Sequence, residues 1–530
     1  MPTDPARYPS VPLQRVPNRI VPLLLLLLLP LLLGTVLLAA CGADASPTPE
    51  PAGPLSRYLP ALKDTSAHEL DRVPTAPRYT LDVTLDVISR TLYGTGEIVV
   101  FNNSREPWNQ LLFRLYPNLD YYGGDLSVQS VSLDSRPTNY TYQDSGTTLR
   151  VLLPRPLLPK DQVTVRMAWK TWWPSWVDDS TVYRLFGRSQ QMVSLPLFYP
   201  SLAVFQEGAA LGSGTWWTEM GTERGDAAYN ETSLFAVTAI LPNDQVPVIS
   251  GSEVVTASVT ATQTQYVWVT GPAREFVLHM STAFKHASEV AYGTTVTSYW
   301  LPGDEAGGRA ALRYGVASLR AYSDIYGDYP FRDMRIAPGP LSFRGMEYPQ
   351  VMLLGPQLYG RMRSNLEFLV AHEMAHQWWY QIVHNDPINS PWLDEGISEY
   401  SVKLYMEQLR GQPNADLVQY QRWEVPLETL VNRGTDTTIA HPVPSFKNGN
   451  QYETIVYGKG ALFFDALRAE LGNRQFLRFL QTYLNGHRWG TVTDDDFLAA
   501  LHVLGEPRLV RLYREWVGEH NLVSAQAPGN

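Results

Sequence analysis

Within Ala371–Tyr380, AHEMAHQWWY, the side chains of His372, Glu373 and His376 stand in the order His-Glu-x-x-His. Residues four apart share a helix face, so both imidazoles reach one metal ion while Glu373, offset by about a quarter-turn, addresses the remaining side. That is a metalloprotease signature, with Glu373 placed as general base. A catalytic zinc keeps three protein ligands and an open position. Cys41 is the only cysteine of the chain, so the third ligand is a histidine or a carboxylate. SPWLDEGISEY, residues 390–400, offers Glu395 and Glu399 one turn apart, on a helix that Ser390 opens as N-cap and Pro391 as first helical residue. One of the two carboxylates binds the metal and the other supports it.

These side chains need two helices and a scaffold. Ser364 and Glu367 form a capping box ahead of LEFLVAHEMAHQWW, which starts the histidine helix. Upstream, ALRYGVASLRAYSDIYG reads as helix, followed by a short β segment from MRIAPGP to EYPQVMLLG; helical text is expected from Phe284 onward. From Tyr79, runs such as YTLDVTLDV, GTGEIVVF and QVTVRMAWK alternate apolar and polar residues between turn signals, the pattern of an all-β region. Its many aromatics, among them Trp172, Trp173, Trp176, Trp216 and Trp217, are expected to fill packed sheets rather than form a carbohydrate platform.

The balance of 44% hydrophobic and 18% charged residues over 530 positions is that of a globular, multidomain chain. A formal charge of -10 and the lack of a basic, aromatic-laced stripe give no reason to expect a nucleic-acid partner. The first forty residues differ. Arg7, Arg15 and Arg19 precede an apolar run, Ile20–Ala40, that ends in Leu-Ala-Ala-Cys. This is an export signal, and its end resembles the lipobox of bacterial lipoproteins, which implies lipidation at Cys41. The alternative is that the run stays as a membrane-spanning helix, although Pro22 and Pro30 weaken it. Either way the body is expected outside the cytoplasm of a bacterial cell, held at the membrane by Cys41 or by an N-terminal helix. The stretch after it, containing ASPTPEPAGP, reads as an extended tether through residue 65.

Eighteen residues separate His376 from Glu395, the ligand spacing of the gluzincin aminopeptidases, the family of aminopeptidase N, which this chain resembles. WLDEG is similar to that family's WLNEG, with Asp394 for Asn, and implies Glu395 as the ligand of a single zinc ion. FRGMEYP, residues 343–349, resembles the GxMEN segment along the cleft's edge strand. By that resemblance Gly345 and Met346 offer backbone to an extended peptide, and Glu347 pairs with its free ammonium; Tyr348 replaces the family's Asn. ETIVYGKGALFF, residues 453–464, looks like the YxKG segment and implies Tyr457 as the oxyanion donor. Gly225-Asp226 and GPAREF, residues 271–276, resemble β-domain segments of bacterial members. The usual ARxxFPCxDEP stretch is missing, with LPLFYPSL in its place, so no β-domain residue is assigned to amine binding. Glu399 is the expected acceptor for a zinc-bound imidazole's other N–H.

With a signal peptide 1–40, a tether 41–65 and an N-terminal all-β domain over 66–283 read from the sequence pattern, the resemblance implies an α+β, multidomain fold in which that domain is a saddle or sandwich, followed by a thermolysin-like α/β zinc domain over 284–410 and a short C-terminal helical part, 411–530, completing it. It implies a zinc aminopeptidase acting on peptides, with a more open cleft than members that add a helical-repeat domain. The alternatives are an endopeptidase, another hydrolysis such as epoxide opening on the same metal site, and a non-catalytic lipid-anchored binding protein. A binding protein of that kind typically loses a ligand or the base, and here all are in place.

Overall fold

Alternation of side chains across the strands decides the N-terminal architecture. Along Gln162–Trp172 every second residue is buried, as expected for a sheet with one face against a core. The computed structural model describes residues 53–176, 185–221, 224–342 and 344–518. In it an eight-stranded sheet runs in the order 252–260, 263–269, 234–242, 78–86, 91–101, 162–172, 125–133, 136–137. All neighbours are antiparallel except Arg78–Asp86 with Leu234–Pro242. Smaller sheets of five and four strands share its core, where Trp169 and Trp173 are buried and the indole of Trp169 donates to Phe198 O at 3.0 Å. Tryptophans fill this core, as large rings with one satisfied polar atom do.

A second five-stranded sheet carries the chemistry-bearing part. Its order is Lys285–Ala291, Thr294–Trp300, Asp333–Pro338, Val351–Leu354 and, on the edge, Gly345–Tyr348. Helix α1 (Glu305–Tyr326) packs on the first two strands and on helix α2 (Leu366–Ala375), which in turn meets helix α3 (Trp392–Arg410). After Gly411 the described elements are mostly helices, the longest Gly460–Leu471 and Asn473–Gly486. The fold is therefore α+β in several layers.

Two expectations are corrected here. Helical text was expected from Phe284, yet residues 285–300 form a β-hairpin whose turn, Tyr292-Gly293, has φ of 48° and 78°. Positive φ at both turn residues is what a tight hairpin demands, and Gly293 supplies one without strain. The tether does not reach residue 65. Ser56–Ala61 and Asp64–Arg72 are 3-10 helices with Tyr58, Ala61 and Leu62 buried, and Leu62 bridges to Phe331 of the catalytic part. Apolar side chains at 58, 61 and 62 find partners there, which a Pro-rich composition does not reveal.

This segment is locked by a buried ion pair. Glu69 accepts from Arg488 at 2.7 and 2.8 Å and from the indole N–H of Trp489 at 2.7 Å. Truncating one partner strands the other charge inside the protein. Glu69→Ala is therefore expected to lower stability by about 3 kcal/mol, read as a shifted midpoint in chemical denaturation; an unchanged midpoint would show that the segment is not part of the cooperative core.

Candidate metal centre

Helix α2 brings His372 and His376 to one face, His376 at its C-terminal cap. Its start differs from the expected capping box. Residues 363–365 make a 3-10 turn that runs into the helix, so neither Ser364 nor Asn365 has the extended backbone of a side-chain cap. Glu367 turns instead to α3, accepting from Tyr405 at 2.9 Å and from Arg410. Ser390 is likewise not a cap: Pro391 holds the N-cap position of α3, and the Ser390 hydroxyl donates to Asp494 at 2.6 Å.

The loop leaving α2 is held by the β domain. Tyr380, at φ 133°, donates its hydroxyl to Ala228 O at 2.8 Å, and its N–H bonds Val383 O. The buried Arg274 of GPAREF donates to the carbonyls of Gln381, Ile382 and Gly490. A strained tyrosine persists because these contacts over-determine it.

On this frame three ligand atoms converge. His372 Nε2 and His376 Nε2 are 3.2 Å apart, and Glu395 Oε2 lies 3.2 Å from the first and 3.3 Å from the second. A tetrahedral ion with bonds of about 2.0–2.1 Å needs ligand edges of about 3.3–3.4 Å, so this His, His, Glu triangle fits zinc in size and donor type. Glu399 Oε2 lies 3.1 Å from the other nitrogen of His372, while its Oε1 accepts from the Trp423 indole at 2.8 Å and from Arg422 at 3.3 Å. His376 Nδ1 faces Trp379 O at 3.0 Å and Ser398 Oγ at 3.2 Å. Tyr457 stacks on His372 and donates its hydroxyl to Glu395 Oε1.

A cleft of about 700 Å³ is lined by these groups and by Glu373, Gly345, Met346 and Glu347. Glu373 is buried, and its Oε2 finds no hydrogen-bond partner among the described residues. Burial, opposed by His372, pushes its carboxyl up to about 8 in the bare chain. Glu395 behaves oppositely: burial disfavours its charge, but hydrogen bonds to both imidazoles hold it below the usual carboxylate range. Burial also acts against a charged His372, and Glu395 and Glu399 outweigh it, raising that imidazole well above its ordinary value. Gly345 has to lack a side chain, since a methyl there would sit 2.0 Å from Glu373 Oε1.

Sequence reasoning missed a residue at the end of this cleft. Asp226, on a β-domain loop, hydrogen-bonds the Glu347 carboxyl, and burial raises both well above the ordinary range. Its loop is fastened across the cleft to the helical part, with Arg224 donating to Phe446 O at 3.2 Å. The only local signal was Gly225-Asp226, where Gly225 takes φ 69°. Of the departures from the family's motifs, neither Tyr348 nor Asp394 lines the cleft. Tyr348 is buried in the β-domain core, and Asp394 accepts from Asn385 at 2.8 Å, with its other oxygen 3.9 Å from His376 Nδ1. Cys41 lies outside the described residues.

Comparison with known proteins gives a consistent result. Residues 329–516 match the peptidase family M1 domain. Leucine aminopeptidase 2 of Emericella nidulans is 26% identical over 183 residues, 34% of this chain and 29% of that protein. Probable aminopeptidase 2 of Sulfurisphaera tokodaii is 24% identical over 238 residues, 41% of this chain and again 29% of the relative. The matches thus span under a third of these relatives' length. Among solved structures, an M1 zinc metallopeptidase from Deinococcus radiodurans superposes with a TM-score of 0.65 at 18% identity, covering 86% of this chain and 96% of its own. A mutant of it bound to a Tyr-Ser-Ala substrate gives 0.64, also at 18% identity, over 84% and 94%. At this identity the likeness is one of fold.

The support of His372 by Glu399 is directly measurable. Glu399→Ala is expected to weaken zinc binding by about 10- to 100-fold, read by competition with a chelator, and Glu399→Gln to weaken it less. Unchanged affinity in both would remove Glu399 from this role.

Proposed function

We propose that this chain, whose residues 329–516 match the peptidase family M1 domain, is a zinc-dependent aminopeptidase that removes N-terminal residues from peptides. The observation that carries the proposal is the meeting of a zinc-sized His372, His376, Glu395 triangle with the Asp226–Glu347 carboxyl pair in one cleft. Bound there, zinc supplies a Lewis acid that polarises a carbonyl and acidifies water.

The chain's own residues do the rest. Glu373, beside the triangle, takes the proton of the attacking water and delivers it to the leaving nitrogen. Its Oε2 accepts from none of the described residues, which leaves that atom available for the transfer. Tyr457 exchanges its acceptor, Glu395, for the substrate oxygen as negative charge develops there; a neutral phenol donates without bringing a competing charge. The outer edge of Gly345–Tyr348 is open to an extended peptide, which pairs with the backbone of Gly345 and Met346. Glu347 lies two residues farther along and, with Asp226, receives the peptide's ammonium. The loop of Asp226 is tied to Phe446, so this end of the cleft favours a chain that begins there over one that passes through.

A panel of free and N-acetylated peptides tests this reading. Glu373→Gln is expected to keep stoichiometric zinc and lose at least about 100-fold in kcat. Glu347→Gln and Asp226→Asn are expected to raise KM for free peptides. Equal hydrolysis of acetylated peptides by the wild type would exclude amine recognition and leave an endopeptidase.

The proposal extends to location: export and attachment through Cys41, supported by the arginine-flanked apolar run and its Leu-Ala-Ala-Cys end. Among the described residues no helix is long and apolar enough to cross a membrane. Labelled palmitate is expected to enter the wild type and not Cys41→Ala; equal labelling of both would exclude the anchor.

A further inference from the structure

α3 crosses the helix Gly460–Leu471 at a pair of glycines. A methyl on Gly460 would lie 3.0 Å from the Cα of Gly396, and one on Gly396 would lie 3.2 Å from the Cα of Gly460 and 3.4 Å from Val456 O. The two backbones therefore touch with nothing between them. Carbon atoms in ordinary contact need about 3.5–4.0 Å, so a single methyl moves one helix from the other by about 0.5–1 Å.

What stands on either side of the crossing gives this contact its meaning. Gly396 directly follows Glu395, and Gly460 lies about one turn beyond Tyr457, whose hydroxyl bonds the Glu395 carboxylate. Around and beyond the crossing the same helices are filled by large rings: Trp392 against Phe463 and Phe464, and Tyr400 against Phe464. Those buried contacts hold the two helices together on that side, so an added methyl is accommodated by lifting the Tyr457 end. By contrast a methyl on the neighbouring Gly458 would meet nothing closer than 3.4 Å.

We infer that Gly396 and Gly460 are positioning residues for Tyr457: their backbone contact sets how far the phenol stands from the Glu395 carboxylate and hence from the reacting carbonyl. This rests on the role proposed above for Tyr457 as oxyanion donor, and adds the device that places it. Neither glycine touches substrate, and the ligands His372, His376 and Glu395 lie on α2 and α3, so zinc binding is left in place when the other helix moves.

The test is a double-mutant cycle of Gly460→Ala with Tyr457→Phe in the zinc-loaded protein, with Gly486→Ala as control, a helical glycine with nothing within 4 Å of an added methyl. Gly460→Ala is expected to lower kcat by about 10- to 100-fold with KM and zinc affinity little changed. Its affinity for a phosphinic peptide, which mimics the tetrahedral state, is expected to fall by the same factor. In the Tyr457→Phe background the alanine is expected to add no further loss. An equal loss in both backgrounds, or full kcat in Gly460→Ala, would overturn the inference. Full turnover in Tyr457→Phe alone would overturn instead the reading of Tyr457 on which it rests. If Gly460→Ala does not fold, Gly396→Ala, whose methyl has slightly more room, is read in the same cycle.

Discussion

The constraint from which the rest of this structure follows is the burial of several carboxyl groups around two imidazoles. Glu347, Glu373, Asp394 and Glu395 are all buried, and the charge of the half-buried Asp226 raises the proton affinity of Glu373 and Asp394 further. Isolated ionised carboxylates are very costly in such a place, so each group has to be paired, protonated or held against a cation. The chain answers in several ways, leaving Glu373 Oε2 without a partner among the described residues. Glu395 meets both imidazoles and the Tyr457 hydroxyl; Asp394 meets Asn385; Asp226 and Glu347 share a hydrogen bond; Glu399, one turn on, meets His372, Arg422 and Trp423. Such an arrangement favours cations, which is the basis for the proposal of a dication in the triangle and an ammonium beside Glu347.

Holding this many like groups together requires elements that do not yield. α2 and α3 are stapled by Glu367 to Tyr405 and Arg410, and the loop leaving α2 is gripped by Arg274 and fastened through Tyr380 to Ala228. Two of the partners in that grip, Arg274 and Ala228, come from the β domain, as does Asp226. The β domain is thus part of the site's construction as well as of its lining. Near the chain's start, Glu69 grips Arg488 and Trp489, next to the Gly490 carbonyl that Arg274 also holds. Three separate parts of the sequence meet at that one turn.

The part of this legible in the sequence is the part that local geometry dictates. His372, Glu373 and His376 are fixed relative to one another by helical spacing, and the distance to Glu395 follows from a second helix that must pack beside the first. Alternation exposed most β strands for the same reason. What stayed hidden depends on partners far away in the chain. Ser364 and Glu367 satisfy the spacing of a capping box, yet Tyr405 and Arg410 compete for the carboxylate and win it. Residues 56–65 follow a Pro-rich run and look like its continuation until Phe331 and Asp328 are found beside Leu62 and Lys63. The hairpin of residues 285–300 is masked by its exposed edge strand, Lys285–Ala291, which carries little apolar pattern. Gly225-Asp226 stands out only as a short segment like those of other β domains; the placing of its loop at the cleft is what gives Asp226 a role.

Two π-helical turns, Tyr420–Glu424 and Glu453–Lys459, pack against each other above α3. Such turns forgo regular helical hydrogen bonding and are uncommon, so their occurrence in a pair at one site needs a cause. Each reaches a different carboxylate of the same helix. The first carries Arg422 and Trp423 to Glu399, and the second carries Tyr457 to Glu395. Glu395 and Glu399 lie one turn apart, so their donors must come from above at nearly the same point, more closely than two regular helices with full side chains between them allow. Widening each turn by one residue re-aims its donors without ending the helix, and the glycines at 396 and 460 keep the space between α3 and the helix Gly460–Leu471 narrow. The irregular turns are thus placed where they bring donors to the second oxygen of each of two buried carboxylates whose first oxygens face imidazoles, and a buried acceptor left unpaired is costly.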